Sequence, residues 1–376
     1  MSHPRVLYST SHCASSHRRA QNSWGVCQRQ HLDHRSRSRH GSSIEMRQKG
    51  VVRLAIFFAA AMAACAQVQG PVMGYLPDGG TLRTMSGIPA AGSVGAAITT
   101  GGAFSRIEVS PDQSQALAVA AGTGAVMLYT ISSGASVAVQ GVASAPDRII
   151  FSPSGTAAGL WFSSTRHFQL LNGLSATPAV NDIDFAFTES DPASLAVSDD
   201  GLWMVGAWSF STYAVGPSGD AIVLPVSGAA EAVCFFHQRD DVAAITPNQV
   251  ILINDIAGAV TSNVIWSKPG DPAPADPATA PPVEVAVGFA ISFDNRYLSV
   301  AGNLGSLSTF DLTAGTSAGL NCACSPAGLY GMGGSLFRLT SLTDGVVKVF
   351  DASTNEVWFV PLAIQTSASA TGGGPQ

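Results

Sequence analysis

The sequence predicts an all-β protein assembled from repeated four-stranded units. Three observations carry that prediction. The first is composition. Of 376 residues, 46% are hydrophobic and 12% charged, against about 25% charged in an ordinary soluble domain. Such a chain has ample material for a core, which excludes disorder throughout. Gly 39 and Pro 21 accompany many Ser and Thr, while the usual helix formers Lys, Glu and Gln are scarce, which argues against a helical protein. The second observation is a succession of short β-type runs, broken by turn residues, from Gly74 onward. The third is that one turn signature recurs at a nearly constant interval. The length allows one large domain or two ordinary ones.

The first 66 residues stand apart from this pattern. Residues 1–45 hold seven Arg and six of the eight His, with Asp33 and Glu45 as the acids, and show no apolar period. They are read as a disordered leader or as a start codon placed too far upstream, rather than as a metal or nucleic-acid segment. Met46 to Arg53 forms a basic n-region, Leu54 to Ala64 an apolar run, and Ala64-Cys65-Ala66 a small-residue cleavage site. Residues 46–66 therefore read as a secretory signal peptide, with export to a periplasmic or extracellular space and a mature start near Gln67. The alternative is a lipoprotein anchored through Cys65, since Met62-Ala-Ala-Cys65 approximates a lipobox. The apolar run is too short to span a bilayer, and no later stretch is long enough. Beyond residue 66 there are nine bases and 23 acids, a net of −14. That balance repels phosphate backbones and argues against nucleic acid as a partner.

The body repeats. Val-Ser110-Pro-Asp-Gln, Phe-Ser152-Pro-Ser-Gly, Val-Ser198-Asp-Asp-Gly and Ile-Ser292-Phe-Asp-Asn each follow one apolar run and precede another. Pro presets φ, and Asp, Asn and Gly tolerate the strained turn positions. A second signature closes the next strand, as in Met127 to Gly134, Ile251 to Gly258, Ser308 to Gly315 and Lys348 to Asn355. The turn serines are 42, 46 and 94 residues apart, and a degenerate copy at Phe235 to Asp241 divides the last interval. Four short strands in about 40–45 residues is the period of a propeller blade. A Ser-Pro-Asp turn followed by strand-Phe-Asp-x-x-x-Gly resembles the YVTN-type and WD-repeat-like β-propeller families. The resemblance covers roughly residues 72–363. The Gly-His and Trp-Asp pairs of WD repeats and the strict Tyr-Val-Thr-Asn core are missing.

The fold class is thus an all-β propeller of four-stranded antiparallel blades. Six units are read at 104–141, 147–180, 193–226, 230–266, 284–321 and 327–363. Val72 to Ile88 resembles the last two strands of a further unit lacking its inner pair. Seven blades, one incomplete, are favoured, with six as the alternative. Ring closure covers blade faces and protects most sheet edges. The propeller occupies 67–363. Lys268 to Pro282 holds six of the 21 prolines and reads as an extended inter-blade insertion. Residues 364–376 read as a flexible tail.

Candidate chemistry is sparse. There is no Gly-x-Ser-x-Gly elbow, phosphate loop, His-Glu-x-x-His or calcium loop, so no catalytic residue is assigned and a non-enzyme is favoured. Past residue 66 only His167 and His237 remain, in different units. Cys234, Cys322 and Cys324 are an odd number. Export permits a disulfide between Cys234 and either of the others, the alternative being buried thiols. Cys322-Ala-Cys324 in a strand would place both thiols on one face, as a metal pair would, but no second Cys or His pair lies nearby.

In a propeller the first strand of each blade lines the channel. Asp147, Asp191, Glu231 and Glu284 stand where four such strands begin. They are candidate ligands for Ca²⁺ or another divalent cation at one channel mouth, as in the propeller lactonases this fold resembles. The other reading is solvated loop acids, with no cofactor. Ser163 to His167 and Gly302 to Ser306 join strands at that same mouth, so Arg166, His167 and Asn303, together with Trp208, are candidate ligand contacts. Trp161, Trp203, Trp208 and Trp266 serve either blade packing or stacking on a sugar or peptide. The functional expectation is an exported, non-catalytic ring that binds a protein, peptide or glycan through one face. The alternatives are a metal-assisted lactonase-type hydrolase and a structural envelope component.

Overall fold

A computed structural model of the protein describes residues 70–142, 145–184, 191–268, 284–342 and 345–362. The chain divides into two units, 1–67 and 68–376, and everything described belongs to the second. The leader, signal peptide and Cys65, the proline-rich stretch from Pro269 and the tail fall outside the described residues. So does Ala363, the last residue of the sixth unit read from the sequence.

Seven antiparallel sheets form seven blades of a ring, and no helix longer than a single turn occurs among the described residues. Blade 1 comprises β1 (Val72–Asp78), β2 (Thr81–Ser86) and β3 (Ser93–Ile98). Blade 2 is β4 (Phe104–Val109), β5 (Gln115–Ala120), β6 (Val126–Thr130) and β7 (Ala135–Ala138). Blade 3 is β8 (Arg148–Phe151), β9 (Ala158–Phe162), β10 (His167–Asn172) and β11 (Ala179–Asp184). Blade 4 is β12 (Ser194–Val197), β13 (Met204–Ala207), β14 (Thr212–Val215) and β15 (Ala221–Val223). Blade 5 is β16 (Ala232–Phe235), β17 (Val242–Thr246), β18 (Gln249–Asn254) and β19 (Thr261–Ser267). Blade 6 is β20 (Ala286–Ile291), β21 (Tyr297–Gly302), β22 (Ser306–Asp311) and β23 (Thr316–Asn321). Blade 7 is β24 (Tyr330–Gly331), β25 (Leu336–Arg338), β26 (Val347–Asp351) and β27 (Glu356–Val360). In blades 2 to 7 strands pair in chain order, each a meander running outward from the axis.

The burial gradient across a blade explains the composition. The second strands are buried on both sides: β9, β13 and β17 are buried throughout, and β5 all but its last residue. Each is sandwiched between the faces of two neighbouring blades, so it reads as a continuous apolar run rather than an alternating one. The outer strands β15 and β23 are exposed at nearly every position. There β23 changes to Thr, Ser, Gly and Asn without a charge, while β15 is a short Ala-Ile-Val run.

Blade 1 departs from the sequence expectation. It has three strands, not two, because Ser93–Ile98 adds β3 beyond the expected hairpin. Its direction shows which strand is missing. Tyr75 lies beside Gln113, just past the end of β4, whereas Gly80 lies against the carbonyl of Phe104, where β4 begins. β1 therefore runs opposite to β4, as a second strand does, and it is the innermost strand that the described residues lack. The outer side of β3 is tied to the end of blade 7, where Val94 N–H donates to Pro361 O at 2.9 Å and Val94 bridges Leu362. Leu76, Met85 and Val94 pack with Val347, Val349 and Val360 across that junction.

The serine turns join first to second strands. Each buried serine closes the turn twice. Ser110, Ser152, Ser198 and Ser292 donate their N–H to the carbonyls of Gln115, Ala157, Trp203 and Tyr297. Their hydroxyls accept the amides of those same residues at 2.8–3.2 Å. Blade 5 keeps the backbone bond, from Phe236 to Asp241, without a hydroxyl.

These turns also bond to one another around the ring. Gln115 Nε2 of blade 2 donates to Gly155 O of blade 3 at 2.9 Å. Ser154 N–H of blade 3 donates to Asp199 Oδ1 of blade 4 at 2.7 Å. Asp199 Oδ2 accepts Gln238 N–H of blade 5 at 2.7 Å. Asn295 of blade 6 accepts His237 N–H at 2.7 Å and returns its own amide to the His237 carbonyl at 2.8 Å. Phe293 N–H of blade 6 donates to Gly334 O of blade 7 at 2.9 Å. Gln113 completes the circuit: its Nε2 donates to Gly331 O of blade 7 at 3.1 Å, and its Oε1 accepts Tyr75 N–H of blade 1 at 2.6 Å.

The cysteines pair differently from expectation. Cys322 is bonded to Cys324, and Cys234 is a free, buried thiol. The expected continuous strand ends at Asn321, and Ala323 turns to φ 47°, which brings its two neighbours' side chains together.

Candidate functional site

Six inner strands, β4, β8, β12, β16, β20 and β24, surround a central cavity of about 280 Å³. No residue of β1–β3 is among its lining. Pro111 and Gly331 approach each other there, and a Cβ on Gly331 would lie 3.0 Å from Pro111 Cβ. The cavity sits toward the serine turns, bounded by Pro111, Ser152 and Pro153. Its wall is apolar, built from Val109, Phe151, Val197, Val233, Phe289 and Ile291 among others. Several of these are the residue just before a turn serine. The strand must end facing inward there, because the serine that follows turns away to bond its own blade.

Few polar groups reach the cavity. Glu108 Oε1 accepts from Arg106 Nε at 3.1 Å. Cys234 lies on the wall, where burial pushes its thiol far above the ordinary thiol range. It stays protonated and acts as a small apolar group rather than a nucleophile. Tyr330 stacks under the guanidinium of Arg338, 4.1 Å from the ring centre. Arg338 is buried, donates to Thr340 O at 3.1 Å, and is held below the usual guanidinium range by desolvation.

The face carrying the serine turns is acidic. Turns between first and second strands bring Asp112, Asp200, Asp240 and Asp294 to it, and turns between third and fourth strands bring Asp255 and Asp311. Arg239 and Arg296 are the bases in those turns, paired with Asp241 and Asp311. Burial first, then the charges of Asp200, Asp241 and Asp255, raise the Asp240 carboxyl above its usual range. The folded state thus holds that proton more tightly than the unfolded chain does, and deprotonation above the shifted pKa opposes folding. Asp240→Asn is expected to raise the melting temperature at pH 7. The gain should shrink as pH falls and vanish below about pH 4, where both states are protonated. Melting curves of both proteins from pH 4 to 8 check this.

The sequence-derived candidates lie at the opposite mouth. Asp147 and Glu231 immediately precede β8 and β16, Glu284 stands two residues before β20 and Asp191 three before β12. Asp147 Oδ2 accepts the amide and hydroxyl of Ser163, both at 2.7 Å. Those bonds, with Arg106 and Arg148 nearby, hold its carboxyl below the usual range. Glu284 Oε1 accepts Ser306 N–H at 3.0 Å. Glu231 Oε2 accepts Ala286 N–H of the next blade at 2.9 Å. Asp191 is exposed. Among the described residues, no three His, Cys, Asp or Glu side chains gather as a metal-holding group.

Arg166 is exposed, in a turn at φ 53°. His167 Nε2 lies 2.9 Å from Asp182 Oδ1, which also accepts from Gln169 at 2.8 Å. Asn303 Oδ1 accepts Val285 N–H at 3.0 Å. Trp208 is buried, edge-on to Tyr213, and covers Gly206. Trp161 is fully buried, Trp203 covers Gly216 and Trp266 meets Phe310 edge-on. These four candidates are therefore spread over three blades, and they do not converge on the cavity.

No family model matches the sequence, and no curated protein matches it. Solved structures do. A functionally unknown protein from Desulfotomaculum acetoxidans DSM 771 superposes with a TM-score of 0.50 at 11% identity, over 77% of this chain and 100% of that one. AztD from Citrobacter koseri, in its apo form, gives 0.49 at 11% identity, over 77% and 94%. The Cps50 (Swd1) β-propeller domain of Myceliophteria thermophila gives 0.38 at 12% identity, over 54% of this chain and 63% of that one. At these identities the likeness concerns the fold alone.

Proposed function

We propose that the protein is a non-catalytic binding ring whose serine-turn mouth takes an apolar side chain from a basic peptide or protein segment. The observation that carries this reading is the apolar cavity at the centre of an acidic face. A glycan finds little there, since the wall offers few hydrogen-bonding groups and one exposed phenol. A cavity of about 280 Å³ is the size of one large side chain or a small apolar ligand. Phe293, 48% exposed on the turn of blade 6, extends the apolar rim.

The test is a panel of labelled peptides measured by fluorescence anisotropy. A Lys/Arg-rich peptide with one central Phe or Leu is expected to bind, more weakly as salt rises. Versions lacking the apolar residue, or with acids in place of bases, should bind at least about tenfold more weakly, a difference of about 1.4 kcal/mol. Val233→Arg, which places a charge in the cavity, should abolish binding. Equal affinity across the panel, or none, sinks the reading.

The hydrolase alternative has its own readout. Under the binding reading, EDTA and then Ca²⁺, Mn²⁺ or Zn²⁺ leave thermal unfolding unchanged, and Glu231→Gln with Glu284→Gln leaves peptide binding intact. A saturable stabilisation, about 2.7 kcal/mol at a hundredfold excess over Kd, lost in those variants together with lactone hydrolysis, would replace it. Export belongs to the same proposal. It expects a cell-envelope or secreted form starting near Gln67, or a lipidated form starting at Cys65, distinguished by intact mass. A YVTN-type affiliation rests on the turn signatures alone.

A further inference from the structure

We propose that Cys322 and Cys324 form a thiol–disulfide exchange site, on the face of the ring opposite the serine turns, that takes a thiol or dithiol as co-substrate. The bond joins residues only two apart. A loop that short removes less chain entropy than any longer one, so it is a poor staple. The turn it spans is held without it: Cys322 N–H donates to Gly305 O at 2.9 Å, and Asn321 Oδ1 accepts Ala323 N–H at 2.8 Å. A bond that adds little to folding at an already fixed turn is available for chemistry.

The two sulfurs are not equivalent. Cys322 is buried against the Gly305 turn, where a Cβ on Gly305 would lie 3.4 Å from its Sγ. Cys324 is half-buried, between exposed Ala323 and Ser325. An incoming thiolate thus meets Cys324 first. A cation stands ready as well. Lys348 Nζ donates to Ala323 O at 3.0 Å, within the peptide linking the two cysteines. Lysine is rare here, Lys268 being the only other one after residue 66. An ammonium held at the peptide that links the two cysteines favours a thiolate formed next to that peptide, which makes it a better leaving group.

A substrate thiolate attacks Cys324 Sγ, the Cys322–Cys324 bond breaks, and Cys322 leaves as a thiolate with the electron pair. A second substrate thiolate attacks the substrate sulfur of the mixed disulfide and releases Cys324. Two substrate thiols become one disulfide and lose two electrons. The protein disulfide gains them, and the two thiol protons pass to Cys322 and Cys324. A small disulfide such as oxidised glutathione runs the same steps backward.

The test uses the whole protein with glutathione as probe, quenched by acid, alkylated and weighed. Millimolar reduced glutathione is expected to open the bond while thermal unfolding still shows a folded ring. In the presence of oxidised glutathione, Cys322→Ser should accumulate a mixed disulfide at Cys324. Cys324→Ser, whose remaining thiol is buried, should accumulate at least about tenfold less. Lys348→Met should slow exchange and move its pH midpoint upward, while Lys348→Arg keeps both near wild type. A bond that opens only when the protein unfolds overturns the proposal. So do equal reactivity of the two cysteine variants and indifference to Lys348→Met. If a cysteine variant fails to fold, the wild-type reduction course and the Lys348 pair still decide it.

Discussion

Gly159→Ala is expected to destabilise the protein by about 3 kcal/mol, the upper end of the ordinary cost of overpacking a core. Gly159 lies in β9, the second strand of blade 3, between two blade faces. A Cβ there would stand 2.1 Å from Phe168 Cζ and 2.8 Å from Val197 Cγ2. Both neighbours are fully buried and packed in one cluster with Trp161, Leu170 and Met204, so neither can retreat. The check is a double-mutant cycle in urea. Phe168→Leu alone should cost about 1–2 kcal/mol for the lost ring. Combined with Gly159→Ala it should recover at least about 1 kcal/mol of the sum, because the shorter side chain vacates the overlap. Strict additivity would mean that blade 3 relaxes in some other way.

The second large effect is expected at the seam of the ring. Gln113→Ala removes the side chain that joins blade 2 to both blade 7 and blade 1, and should cost about 2–3 kcal/mol. The loss leaves Tyr75 N–H and Gly331 O without their partner, and an unsatisfied buried donor costs about 1–3 kcal/mol by itself. Residue 113 has φ 62°, a region that Gln disfavours as Ala does, so the angle adds nothing to that cost. Gln113→Gly relieves the strain while restoring no bond, so it should cost about 1 kcal/mol less than Gln113→Ala. Hydrogen exchange should show the Tyr75 amide losing protection in both variants, with the amides of blades 3 to 5 unchanged. If protection falls throughout the ring, Gln113 holds the whole circuit rather than one junction.

Much of the architecture was legible because each blade is local. The turn serines are five residues from their partners, so Ser-Pro-Asp and Ser-Asp-Asp-Gly could be read one blade at a time. The unit read at 104–141 became β4–β7, and that at 284–321 became β20–β23. Blade 1 was half legible: a hairpin was visible, but β3 is Gly- and Ala-rich and carries no turn signature. The ring contacts were not legible, since Gln113 meets residues 38 and 218 positions away. The carboxylates were correctly set at the starts of inner strands, but their partners were not. Asp147 and Glu284 reach amides 16 and 22 residues away, distances that depend on where two strands turn. The cavity wall has a signal in the sequence, the apolar residue before each turn serine. The disulfide had none, because its geometry depends on β23 ending one residue before Cys322.

Among the described residues, seven sheets set the circumference of the ring while six inner strands line its opening, which separates girth from bore. A seventh inner strand in that lining would push the other six apart and enlarge the hole without adding a blade. On the binding reading proposed above, an opening of about 280 Å³ takes a single side chain, so a partner must present a projecting residue. A partner would then be chosen by the one residue it can offer and by the charges that flank it, over a footprint far smaller than the face itself.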